Sequence, residues 1–253
     1  TVCRDMIARF PTLADPHYHR GRMLRAQMNN EKALQQQEEA LAKDPGHRDA
    51  RYEHGLLLVR QYDDYIDKLR MRWDRSQADF AQGVEGRAPV KEPPNEDLED
   101  AKAKDLRKRA AADFEGSELT IARAFRTLLT SREVDAIPLF EQAYRETPEL
   151  GESCERLGQA ARRSEKYEEG ERWFTLGHQS DLGHIPLLVA RASLYFVWAT
   201  RGFHRGQDPT DKITASITDW EAVIRLDPGH ITGLTMLGPP TSHLGLFQII
   251  RGI

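Results

Sequence analysis

Nine histidines, two cysteines and 40 acidic residues are the groups from which a catalytic or metal site would be built, so their spacing is the first question. The triplet His47-Arg48-Asp49 has the composition of a phosphoryl-transfer loop, in which the aspartate orients the attacking hydroxyl. Such a loop needs an Asn five residues further on, which is missing here, and Pro45-Gly46 sets the triplet in a turn. His17 and His19 are two residues apart; on a helix their side chains diverge by about 200° and cannot share a metal. His178, Asp181 and His184 are of the right types to hold a divalent ion, but they straddle the end of one apolar-periodic segment and the start of another. Cys154 falls beside Gly158 on the same periodic face and reads as a packed thiol rather than a nucleophile. The chain contains no G-x-G-x-x-G or G-x-x-x-x-G-K-[ST] phosphate loop and no H-E-x-x-H pair, and its spacing singles out no Ser–His–acid set. The expectation is a non-enzymatic protein with no catalytic residues, no cofactor and no metal.

Composition narrows the class. Of 253 residues, 39% are hydrophobic and 30% charged, with 18 Gly and 13 Pro, which excludes a disordered or collagen-like chain. The 36 basic and 40 acidic residues leave a net charge of -4, without the polybasic excess that nucleic acid or an anionic lipid surface would demand. The longest apolar stretch, Ile185 to Thr200, is interrupted by Arg191 and is shorter than the ~20 residues of a membrane span. Cys3 and Cys154 alone make no disulfide framework, and a reducing, cytoplasmic setting is expected.

The elements that position these residues declare themselves through repetition. Asp-Pro-Gly-His occurs at Asp44–His47 and again at Asp227–His230, each time after an apolar-periodic stretch. Gly21, Ala33, Ala40 and Pro45 stand at offsets 0, 12, 19 and 24, and Ala124, Ala136, Ala143 and Pro148 repeat them. Gly158, Gly170, Gly177 and Leu182 follow the same grid, with Leu in place of Pro. Each of Pro11, Pro45, Pro148 and Pro228 is followed 10 residues later by a glycine: Gly21, Gly55, Gly158 and Gly238. Small residues at such intervals let paired helices approach closely. Phe140, Phe174 and Trp220 recur four residues after Ala136, Gly170 and Ser216, on the same helical face.

A period of about 34 residues with this grid resembles the tetratricopeptide repeat (TPR), and the resemblance implies an all-α, TPR-type α-solenoid of antiparallel helix pairs. The expected layout is N-terminal TPR helices over 1–60, an expanded helical hairpin inserted at 61–116, further TPR units over 117–238 and a degenerate or truncated tail at 239–253. Helices are placed near 2–10, 14–28, 31–43, 118–130, 133–146, 151–163, 166–180, 185–200 and 211–226, with a loop at 201–211. A further helix should begin near Arg48 and run far, since neither Gly nor Pro occurs from Leu56 to Gln82. Its stripe of Leu58, Tyr62, Tyr65, Leu69, Trp73 and Phe80 has helical spacing. The Pro-rich segment 83–95 should turn the chain into a charged helix over 96–115, where Ala110 and Phe114 restore the second-helix spacing. A last helix starting at Ile231 should stop at Gly238-Pro239-Pro240.

The resemblance also implies a concave groove lined by the first helix of each pair, and a protein or peptide ligand held there. The groove positions are Tyr18, Arg22, Arg25, Tyr52, Arg60, Phe125, Gln159, Arg162 and Arg163. First helices turn basic near their ends, whereas second helices carry acids such as Glu133, Asp135, Glu168 and Glu169, which favours an acidic peptide. Tyr18 and Arg22 replace the Lys and Asn of the chaperone-binding subclass, so chaperone C-termini are not the expected ligand. More weakly, ARYEHGLLLVRQY, the long charged hairpin and the RGFHRGQDP…ITDWEAVIRLDP unit resemble TPR regions that follow the catalytic domain of bacterial serine/threonine kinases. That resemblance implies a regulatory part of a larger signalling enzyme, with no kinase motif carried by this chain. The tail, with its exposed apolar residues and no polar cap, suggests self-association through the C-terminal end.

Overall fold

The computed structural model describes residues 2–81, 100–148, 151–180 and 184–229, with the stretch 70–81 as helical backbone. Eleven helices and no strand are found among the described residues. They fall into two compact units. The first holds α1 (Val2–Arg9), α2 (Asp15–Ala26), α3 (Asn30–Lys43), α4 (Arg48–Ala81) and α5 (Ala101–Asp113). The second holds α6 (Thr120–Thr130), α7 (Glu133–Glu146), α8 (Gly151–Arg163), α9 (Tyr167–Ser180), α10 (Ile185–His204) and α11 (Thr210–Leu226).

Residue pairings show that the helices run antiparallel in pairs. In the second unit Cys154, early in α8, meets Gly177, late in α9, while Gly158 meets Phe174 and Gly170. Arg191 of α10 reaches Asp219 of α11, whereas Lys212 lies over Trp198. In the first unit His54 near the start of α4 bonds Asp113 at the end of α5, and Tyr65 further along bonds Asp100 at its start. Helix α8 packs on α7, α9 and α10, so this first helix touches the pair before and the pair after it. Both units are built of helix pairs of the tetratricopeptide type, as the repeat implied.

The grid of small residues is the joint of each pair. Ala33, Ala40, Ala124 and Ala136 are completely buried, and Gly21, Gly158, Gly170 and Gly177 are buried as well. A single rule relates the two helices: the side chain four residues after the second helix's first small residue fills the notch left on the first helix. Phe174 lies against Gly158, Phe114 against Gly55 and Gln37 against Gly21, so closely that a Cβ at any of these glycines would clash. Trp220 shares a buried cluster with Ala192, and the hydroxyl of Ser216 donates to Ala192 O at 2.8 Å. Gln37 is the polar exception; its Nε2 donates to Tyr18 O at 3.2 Å.

Turns follow the sequence closely. In both Asp-Pro-Gly-His segments the aspartate accepts from the glycine amide, Gly46 to Asp44 at 2.9 Å and Gly229 to Asp227 at 3.1 Å. This is the turn that aspartate forms by capping a backbone N–H two residues on. The long helix from Arg48 is observed as 34 residues, about 51 Å at 1.5 Å per residue. The charged helix after the Pro-rich segment starts at Ala101, where the Asp100 carboxylate caps the amides of Lys102 and Ala103 at 3.0 Å.

Helix α5 was expected from residue 96, so its start differs, and so does the end of α10. The helix expected to stop at residue 200 continues to His204, because Gly202 is buried inside it and the true terminator is Gly206, with φ +77°. The amides of Gly206 and Gln207 return to Phe203 O and Gly202 O, a closure that needs a left-handed residue. Arg191, which interrupted the apolar run of the same helix, forms a two-pronged ion pair with Asp219 at 2.8 Å on both prongs and bonds Thr175 Oγ1. Among the described residues no helix is long and apolar enough to cross a membrane. Trp73 and Phe80 of the apolar stripe, the Pro-rich turn, the helix at Ile231 and the tail lie outside the residues whose side chains are described.

Candidate peptide-binding face

In the first unit, α2 presents Tyr18, Arg22 and Arg25 at helical spacing, and α4 brings Glu53 against them. Glu53 is buried, its side chain 7% exposed, and it forms ion pairs with Arg25 at 2.7 Å and Arg22 at 3.5 Å. Arg25 is itself largely covered, whereas Arg22 leaves 54% of its side chain in solvent. The Arg22 guanidinium stands 5.8 Å from the Tyr18 ring centre and donates to the phenol oxygen at 3.4 Å. Burial raises the Tyr18 pKa above its ordinary value, an effect that Arg22 partly offsets. Tyr18 also packs between His19 and His47. Three of the sequence-derived positions therefore share one cluster, with a carboxylate already inside it. Tyr52 and Arg60 also lie on α4, on either side of Glu53 in sequence; Tyr52 stacks edge-on against Phe114 at 5.9 Å, and both residues are partly exposed.

In the second unit Phe125 is 1% exposed, edge-on to Phe140 and covered by the Arg156 guanidinium, so its ring has no surface to offer a ligand. Gln159 donates to Glu155 at 3.2 Å and accepts from Arg156. Arg162 is partly exposed, and Arg163 pairs with Glu133 of α7 while leaving 37% of its side chain in solvent. Sequence reasoning missed Arg156 and Glu155, and weighed His184 only as a metal ligand. Glu155 faces His184 at 3.6 Å with both side chains about nine-tenths buried, so α8 carries a buried polar row, not merely a surface one. The signal was present in the alternation of Glu152, Glu155 and Arg156, charges at core-facing spacing beside Gly158.

The remaining chemical candidates have structural occupations. His47 takes Asp15 Oδ1 at 2.9 Å with one ring nitrogen and caps the Ala50 amide with the other, closing the N-terminus of α4. His17 is buried against Gln36 at 3.2 Å, and His19 is exposed. Cys154 is fully buried, and desolvation pushes its thiol up to about 12. Among the described residues no group of three or more His, Cys, Asp or Glu side chains is placed to hold a metal; Asp181 lies outside them.

No protein-family model matches the chain, and no curated protein matches it. Among solved structures it is similar to YrrB, described as a TPR protein with an unusual peptide-binding site, at 15% identity over 93% of this chain and 97% of that one, with a TM-score of 0.38. It is similar to pilF of Pseudomonas aeruginosa at 14% identity, covering 94% of this chain and 86% of that one, with a TM-score of 0.38. The TPR domain of P58(IPK) aligns at 15% identity over 97% of this chain and 60% of that one, with a TM-score of 0.39.

Proposed function

We propose that the protein is a non-enzymatic scaffold whose first helices bind an extended protein segment carrying acidic side chains. The observation that carries this reading is the arrangement around Glu53. Arg25 holds that carboxylate from close by, at 2.7 Å, so Arg22 is oriented by its neighbours yet keeps more than half its side chain and most of its five donors available. A guanidinium held in place in this way loses little freedom when a carboxylate docks on it. In the second unit Arg162 and Arg163 at the end of α8 extend the same chemistry.

The test uses the full chain and a labelled peptide alternating Glu with apolar residues, measured by fluorescence anisotropy against a Gln-for-Glu analogue. Neutralising Arg22→Gln and Arg162→Gln/Arg163→Gln should each weaken binding of the acidic peptide several-fold and flatten its salt dependence. Arg25 is left intact, because its loss would strand the buried Glu53. Equal binding of both peptides, or binding unchanged by all three substitutions, overturns the proposal.

A further inference from the structure

Helices α1, α2 and α3 enclose a surface concavity of about 290 Å³ lined by Arg4, Arg20, Leu24, Lys32, Gln35 and Gln36. Three of its six lining residues are cations, two are amides, and none is acidic. No carboxylate among the described residues lies within ion-pair distance of Arg4, Arg20 or Lys32, although Asp5 and Glu31 are adjacent in sequence. Several arginines elsewhere are matched to acids: Arg25 to Glu53, Arg191 to Asp219, Arg163 to Glu133 and Arg201 to Glu165. The hollow instead gathers three cations around one space with no acid in its lining.

The floor is polar and built. Gln36 is 8% exposed, and its Oε1 is taken by Arg20 Nη1 at 3.4 Å and faces His17 Nδ1 at 3.2 Å. That leaves its Nε2 group, a donor with no hydrogen-bond acceptor among the described residues. The hollow also lies apart from the candidate peptide face, since Arg20 and Leu24 are about 200° around α2 from Tyr18 and Arg22.

We infer that this hollow is a binding site for a phosphoryl dianion. A single carboxylate would cancel only one of three charges. A phosphate or phosphomonoester carries about 1.5 to 2 negative charges near neutral pH and several acceptor oxygens, matching one Arg fork, a second Arg, a Lys and two amides. The volume suits an inorganic phosphate or a small phosphomonoester rather than a cofactor-sized ligand.

The experiment is isothermal titration of the full chain with inorganic phosphate, O-phosphoserine and succinate, at fixed ionic strength. The variants are Arg4→Gln and Lys32→Gln, two exposed side chains with no protein partner, whose removal leaves packing untouched; circular dichroism melts verify folding. The expected result is saturable phosphate binding with Kd near or below about 1 mM, weakened about tenfold or more by either substitution. Tighter binding of phosphoserine identifies a phosphomonoester as the source, and equal or weaker binding identifies free phosphate; both support the site. Absence of saturation by either phosphoryl compound at about 10 mM overturns the inference, as does unchanged affinity in both variants or succinate binding as tightly as phosphate.

Discussion

Substituting Gly158 by Ala sets two effects of similar size against each other, and the structure decides between them. In an ordinary exposed helix the change is favourable by about 1 kcal/mol, because alanine restricts the unfolded chain and suits the helix. Here a Cβ on residue 158 would lie 2.5 Å from Phe174 Cε1 and 2.7 Å from Cδ1 and Cζ. Restoring van der Waals separation requires the ring to move by close to 1 Å. The ring is fully buried among Cys154, Tyr167, Leu187 and Leu194, so its displacement spreads strain through the cluster. Overpacking of this kind costs about 1–3 kcal/mol, and the tightness of the clash places it at the upper end. The net expectation is destabilisation by about 2 kcal/mol, or a fall in melting temperature of about 4–8 °C. Far-UV circular dichroism and urea melts of the wild type, Gly158→Ala, Phe174→Leu and the double variant complete a double-mutant cycle. The smaller Leu should relieve the added methyl, so the double variant should be more stable than the summed single losses by at least about 1 kcal/mol. A neutral or stabilised Gly158→Ala, or strict additivity in the cycle, refutes the notch-and-ring account. Ala124 holds the corresponding position in the preceding pair and is fully buried; Ala124→Gly should lose about 1 kcal/mol.

Asp219→Ala should cost about 3–5 kcal/mol, because Arg191 would keep its charge in a largely covered site, and replacing both partners by apolar residues should recover much of the loss in chemical denaturation. The Cys154 thiol, held up to about 12 by burial, should resist a disulfide reagent in the native protein at about pH 8 while the partly exposed Cys3 reacts; equal native rates would contradict the packing. The Glu165 carboxyl is held below its ordinary range by Arg201 and Arg205, and Asp100 by the Tyr65 hydroxyl and its helix-cap amides. A lowered carboxylate pKa contributes stability above the unfolded value that is lost as pH falls through the folded one, so stability should decline on acidification and Glu165→Gln should flatten that decline in urea midpoints followed from about pH 7 to about pH 3.

The helix pairs were legible because close approach leaves little choice of residue: Gly158, Gly170 and Gly177 repeat the spacing of Ala124, Ala136 and Ala143, and any larger side chain would collide. The far end of α10 was not legible, since Gly202 resembles a stop until Gln207 is seen packed on it and Gly206 is seen to take the positive φ. Ion-pair partners were hidden for a different reason. Arg25 and Glu53, or Arg191 and Asp219, are each 28 residues apart in the chain, so local charge patterns show the arginines but not what neutralises them. The same blindness put Phe125 among groove positions, because helical spacing gives a face without saying which neighbour covers it.

The filling of each first-helix notch bears on how such an array can change over generations. Gln37 on one side and Phe114 and Phe174 on the other are two different shapes, each cut to a glycine on its own partner and separated from it by a turn or an insertion within the same pair. Copying a complete pair therefore carries a matched lock and key together, and duplicated units arrive already fitted. Recombination within a pair would set an amide against a hollow shaped for a ring. The viable breakpoints for shuffling this sequence accordingly fall at the Asp-Pro-Gly turns between pairs, and a chimera joined there should fold where one joined at residues 131–132 or 164–166 should not.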